Sequence, residues 1–178
     1  MASDSPPYVA QKGEQRQEEF QLNLSLASAP QIDYFVGRET ELLAISSNLM
    51  PSTRPERKVV VLYGLGGIGK SQIAIEFAKR CAQDFSAILW LNAKTEDSLK
   101  RSFAFNAGRL PKRHISQHLL FGPSSDTSLD SIMYETIAWL DLAGNHRWLL
   151  IYDNMDNPQI PENTRQGAYD ARRFFPKS

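Results

Sequence analysis

Val59 to Ser71 reads VVVLYGLGGIGKS: five apolar or aromatic residues, then four glycines in six positions, then a lysine and a hydroxyl. Lys58 to Tyr63 is rich in β-branched residues without alternation, which predicts a strand covered on both faces in a parallel sheet, the most buried of the chain. Ser71 to about Ala82 carries Ile73, Ala74, Phe77, Ala78 and Cys81 at helical spacing, one apolar stripe to lay on that sheet. Strand, glycine turn and helix are therefore continuous.

Gly64-Leu65-Gly66-Gly67-Ile68-Gly69-Lys70-Ser71 has the spacing G-x-x-x-x-G-K-[ST] of a phosphate-binding loop. Enclosing a di- or triphosphate in backbone N–H groups needs main chain within hydrogen-bond distance of the anion. Glycine permits this because it lacks Cβ and tolerates positive φ. The following helix aims its N-terminal amides at the same charge. Lys70 would reach the β and γ oxygens, and the Ser71 hydroxyl would hold a bridging Mg²⁺. The plain alternative is a glycine-rich turn with no ligand; a strand before and an amphipathic helix after weigh against it.

The chain has 178 residues, 42% of them hydrophobic, which suits one domain with a real core. Lys+Arg and Asp+Glu each total 20, so no whole-protein field steers it toward nucleic acid or anionic lipid. A single cysteine, Cys81, excludes an internal disulfide and fits a reducing interior. The first 20 residues show neither the basic start nor the apolar run of a signal peptide, and no 18 apolar residues stand in a row, so a cytoplasmic protein with no membrane partner is expected. Outside secretion, the sequon Asn23-Leu24-Ser25 carries no weight.

Residues 1–31 are polar and aperiodic and read as a disordered leader, with structure from Ile32 onward. From Glu39, Leu42, Leu43, Ile45 and Leu49 predict a short helix ending before Pro51. Ala87–Leu91 and Trp148–Asp153 read as two further buried strands. Asp97–Leu110 reads as a helix with Leu99, Phe103 and Leu110 inward. Leu129–Ala143 reads as another, capped by Ser128 and Gly144, with Leu129, Ile132, Met133, Ile137 and Leu140 on one face. The alternation predicts an α/β fold: a three-layer parallel sheet with flanking helices.

An acidic residue closing another buried strand could hold the metal through water, and WLLIYD supplies Asp153. Asn154, Asp156, Asn157 and Pro158 also permit a simple turn there. An amide such as Asn154 orients a water but takes no proton from it, so a general base must be Asp156, come from elsewhere, or be missing.

Phe35-Val36-Gly37-Arg38-Glu39, GLGGIGKS, Ile88-Leu89-Trp90-Leu91-Asn92-Ala93-Lys94 and WLLIYDN, in this order, resemble the NB-ARC nucleotide-binding domain of signal-transducing receptor ATPases, a STAND-class P-loop NTPase, especially as found in fungal NLR-like proteins. The resemblance covers about residues 34–158. It implies an ADP- or ATP-binding switch with Mg²⁺, in which Val36, Gly37 and Arg38 pack on adenine and activation leads to self-association. The family places its first strand between two later ones, one carrying a sensor arginine, and continues into helical subdomains. The residues after Asn157 do not accommodate these, which implies an incomplete domain over 32–178, missing downstream domains, and at most weak ATP hydrolysis. VVVLY would then leave its edges to water or pair anew with WLLIYD.

A small P-loop ATPase or kinase is the main rival, with Arg172 and Arg173 as candidates to close over phosphate. A GTPase fits less well, because Asn92-Ala93-Lys94 has one residue too many for a guanine-reading motif. An interaction fragment with a vestigial loop is the third reading. His114 and His118 lack a third zinc ligand, and Trp90, Trp139 and Trp148 read as core.

Overall fold

The computed structural model describes residues 20–31, 34–51, 56–114, 126–159 and 167–177. Over these it is a mixed α/β fold: α1 (Glu39–Leu49), α2 (Lys70–Arg80), β1 (Ala87–Asn92), α3 (Glu96–Ala107), α4 (Asp126–Leu140) and β2 (Trp148–Asp153). Short 3₁₀ turns lie at Ala82–Asp84 and Ala171–Phe174. Among the described residues no helix is long and apolar enough to cross a membrane.

β1 and β2 pair in parallel from Ala87 opposite Trp148 to Asn92 opposite Asp153, forming a two-stranded sheet. Their alternate residues send side chains into separate clusters. Ile88 and Leu149 join Leu42 and Ile45 of α1 and Ile73 and Phe77 of α2. Leu89 and Leu91 face the opposite way, toward α3 and α4, with Phe103, Met133, Trp139 and Leu140. Helices therefore cover both faces, as a parallel connection requires.

The most buried strand is β1, with Ala87, Leu89 and Leu91 at 0% exposure, and not the expected Lys58–Tyr63. That segment joins no ladder, and Val59, Val61 and Tyr63 are 73%, 72% and 88% exposed. It neither pairs with WLLIYD nor forms the third strand. The reason lies in its backbone: an apolar run can be buried as a strand only where its N–H and C=O groups find partners, and none of the described residues supplies them.

β1's second edge is closed differently. Ser98, Ser102 and Asn106 stand four apart along α3, on one stripe of the helix. Ser102 Oγ accepts from the Asn92 N–H at 3.0 Å, Ser98 Oγ donates to the Asn92 carbonyl at 3.1 Å, and Asn106 Nδ2 donates to the Trp90 carbonyl at 3.2 Å. A helix thus satisfies the C-terminal half of the strand edge with side chains where no strand is present. α3 starts on Thr95, whose hydroxyl accepts from the Ser98 N–H while Ser98 Oγ accepts from the Thr95 N–H, a reciprocal cap.

Several boundaries differ from expectation. Packing starts before Ile32: Phe20 and Leu22 are buried, and the Leu22 N–H donates to the Ser86 carbonyl at 2.7 Å. Residues 1–19 of the expected leader lie outside the described residues. Leu43 is 68% exposed, because Leu42 and Ile45 already fill α1's inward stripe. α4 begins at Asp126, so Ser128 lies within the helix and is not its cap. It ends at Leu140; Gly144, with φ +95°, closes the turn beyond, where the Asn145 N–H donates to Leu142. Thr136, absent from the predicted apolar face, is fully buried and returns its hydroxyl to the Ile132 carbonyl at 2.8 Å.

The C-terminal segment completes the α3/α4 side. Phe174 is fully buried and stacks on Phe103. The Tyr169 hydroxyl donates to the Ala93 carbonyl at 2.6 Å, and the Tyr152 hydroxyl to the Phe174 carbonyl at 2.6 Å. Burial pushes both phenols above their ordinary range.

Candidate functional site

The glycine loop runs from Gly64 into the first turn of α2. Gly69, with φ +88°, stands just before the helix, and the first helical bond runs from the Ile73 N–H to the Gly69 carbonyl at 3.0 Å. By helix geometry the amides of Lys70, Ser71 and Gln72 therefore point past the N-terminus with no helical acceptor. Gly64, with φ +142°, has a separate requirement: that backbone conformation is strained for any side chain, and a Cβ there would also push the end of the Ile68 side chain, 2.5 Å away, aside. Leu65, Gly66 and Gly67 are exposed, and Gly67 also has positive φ, at +80°.

Lys70 turns back over this loop. Its Nζ donates to the Gly64 and Leu65 carbonyls, both at 2.9 Å. Two of three ammonium protons are thus spent on main chain and one remains. The ammonium sits over the loop as a fixed positive charge.

Ser71 Oγ donates to Asp153 Oδ1 at 2.7 Å, across 82 positions of sequence. α2 presents the hydroxyl from its first turn, and β2 presents the carboxylate from its last residue. Because the serine proton goes to the carboxylate, the Ser71 oxygen keeps lone pairs and Asp153 keeps Oδ2. This pair could give a hard cation two oxygen ligands. No group of three or more His, Cys, Asp or Glu that could hold a metal ion occurs among the described residues, so phosphate and water would have to supply the rest.

The remaining expected residues are placed elsewhere. Asn154 adopts φ +62°, turning the chain sharply after Asp153, and Asp156 is exposed with its N–H on the Asn154 carbonyl. Val36 is 90% exposed, Gly37 has φ +74°, and Arg38 has φ +60° with its guanidinium 3.9 Å from Glu41. Glu39, next in the chain, bonds Arg80 through two contacts of 2.7 and 2.9 Å, which hold its carboxyl below the usual range. Arg80 ends α2, whose 11 residues span about 16 Å, so Val36–Arg38 are tethered toward the helix end opposite Lys70.

The arginines proposed to close over phosphate are engaged as well. Arg172 pairs with Asp170 at 2.8 Å, and Arg173 reaches Glu96 and Tyr134 at 3.4 and 3.3 Å. His114 stacks on Phe20, while His118 lies outside the described residues. Sequence reading missed the lysine's return to its own loop, since no pattern marks which carbonyls a flexible side chain will find. It also missed the Ser98-Ser102-Asn106 stripe, although polar residues four apart between buried positions are a legible signal.

Comparison of the chain with protein-family models, with curated proteins and with solved structures finds no match in any of the three.

Proposed function

We propose that this chain binds the phosphates of an adenine nucleotide, ADP or ATP, together with Mg²⁺, as the nucleotide module of an NB-ARC-like switch on a P-loop NTPase fold. The observation that carries this reading is the 2.7 Å bond between Ser71 and Asp153. A glycine turn with no ligand has no need of a hydroxyl and a carboxylate meeting beside a helix N-terminus.

In this reading the amides of Lys70, Ser71 and Gln72 and the N-terminal dipole of α2 receive the phosphate. Lys70 exchanges its contacts with Gly64 and Leu65 for phosphate oxygens, a local movement of one side chain. Ser71 and Asp153 hold the cation, which supplies charge neutralisation between phosphates when bound. The resemblance implies adenine selectivity from Val36, Gly37 and Arg38, but their tether toward the end of α2 opposite Lys70 lends that part no support, and the reading rests on the phosphate end. With Asn154 after Asp153, and Asp156 exposed, hydrolysis is weak at most, and the site retains nucleotide rather than turning it over.

A second reading is favoured by one observation. Lys70 is already satisfied by its own loop, as it would be in an interaction fragment whose loop takes no ligand. Calorimetric titration with magnesium-ADP separates the two. Nucleotide binding predicts measurable heat for the wild-type chain and loss of at least about tenfold in affinity for Lys70→Ala, the removal of one charge-assisted contact. Folded wild-type chain that gives no heat at millimolar nucleotide overturns the proposal.

A further inference from the structure

We infer that Tyr169 is a positioning residue for the Ser71–Asp153 pair, acting through Ala93; the inference rests on the nucleotide reading and extends its site to the C-terminal segment. Three bonds follow one another. The Tyr169 hydroxyl donates to the Ala93 carbonyl at 2.6 Å, the Ala93 N–H donates to the Asp153 carbonyl at 2.7 Å, and Asp153 Oδ1 accepts from Ser71 Oγ at 2.7 Å. They cluster where β1 and β2 end together, Asn92 opposite Asp153, and parallel sheets take their ligands outside the carboxyl ends of their strands.

Asp153 needs such a hold. It is the last residue of β2, and Asn154 turns the chain away at once with φ +62°. The carboxylate shares a Cα with the Asp153 carbonyl, so fixing the carbonyl limits where the carboxylate can point. Ala93 is a firm anchor because the turn around it is pinned: Ser98 Oγ donates to the Asn92 carbonyl and the Lys94 N–H to Asn92 Oδ1, both at 3.1 Å. Tyr169 adds the pin from outside that turn. Among the described residues no other donor reaches the Ala93 carbonyl, and Ala93 is fully buried. Removing the hydroxyl leaves a buried acceptor unpaired, a cost relieved by shifting the Ala93 turn and with it the N–H that holds Asp153. Tyr169 is itself well seated. It is 4% exposed, its ring meets Phe174 edge-on, and its carbonyl accepts from the Gln159 N–H at 2.7 Å, which ties the loop leaving β2 to the same residue.

The test is calorimetric titration of the full chain with ADP, once with Mg²⁺ and once with EDTA, for the wild type, Tyr169→Phe and Tyr152→Phe. Each variant deletes a buried hydroxyl that bonds a carbonyl at 2.6 Å; Tyr152 secures Phe174 of the same segment but not Ala93. In Tyr169→Phe the gain in affinity that Mg²⁺ confers should shrink by about two- to tenfold, the range one hydrogen bond spans, with affinity in EDTA unchanged. Tyr152→Phe should keep the wild-type gain. A purely structural role would lower both affinities alike or neither. A second readout needs no variant: coupling is reciprocal, so magnesium-ADP should slow exchange of the Gln159 amide in the wild type more than ADP in EDTA does. A wild type that binds no ADP, or gains nothing from Mg²⁺, overturns the nucleotide reading at its cation pair and this inference with it. Where the wild type does gain from Mg²⁺, this inference alone is overturned if Tyr169→Phe keeps the full gain, if Tyr152→Phe loses as much, or if Gln159 is protected equally in both buffers.

Discussion

β1 and the segment before the glycine loop are apolar runs of the same length, AILWLN and KVVVLY, and they have opposite fates. The first is buried on both faces, with Leu89 at 0% and Trp90 at 1% exposure; the second shows Val61 and Tyr63 at 72% and 88%. Hydrophobicity does not separate them, because the exposed run is the richer in β-branched residues. Backbone accounting does. β1 has β2 along one edge, and on the other the Ser98-Ser102-Asn106 stripe bonds the Trp90 carbonyl and both peptide groups of Asn92. Val59–Tyr63 has neither. Burying it would cost several unpaired amides at roughly 1–3 kcal/mol each, against roughly 1.5–3 kcal/mol gained per large apolar side chain. Exposure is therefore the available compromise.

The largest expected effect tests that contrast directly. Leu89→Ala should lose about 2–5 kcal/mol in urea denaturation, whereas Val61→Ala should stay within about 0.5 kcal/mol. Equal losses would mean that the run before the loop is buried in solution.

Next comes the sealed edge. Asn106→Ala leaves the Trp90 carbonyl without its side-chain donor and removes the acceptor for Arg109, which bonds Asn106 Oδ1 at 2.7 Å. A loss of about 1–3 kcal/mol is expected, with faster amide exchange along β1. No change would show that α3 packs on the strand without satisfying it.

The smallest effect concerns pH. Burial raises the Tyr152 hydroxyl above its ordinary value of 10.0, so the folded chain keeps a proton that the unfolded chain releases. The associated stability is fully present below pH 10.0 and falls as pH rises beyond it, by at most about 1.4 kcal/mol per unit. Tyr152→Phe should flatten part of that decline; Tyr169, raised by burial likewise, contributes in the same direction. An unchanged slope in the variant would mean that Tyr152 is solvated.

Much of the site was legible because its parts are local. Four glycines, a lysine and a serine within the eight residues Gly64–Ser71 define a loop and a helix start, and the carboxylate ending WLLIYD marks a strand terminus. Their meeting at 2.7 Å across 82 positions was an expectation that needed the fold to realise it. The failures share one cause. Leu43, Ser128 and Gly144 were assigned from periodicity or turn preference: Leu42 and Ile45 fill the stripe Leu43 was given, α4 starts ahead of Ser128, and it stops at Leu140, short of Gly144.

By itself the amino-acid sequence determined which segments are apolar, where the helices of this chain run to within a few residues, and that a glycine turn opens α2, since these depend on interactions within about four residues. Only the tertiary structure decided which apolar runs become sheet, because a strand is stable when distant peptide groups meet its own. It also decided that Phe20, Tyr169 and Phe174, from the two ends of the chain, close the core.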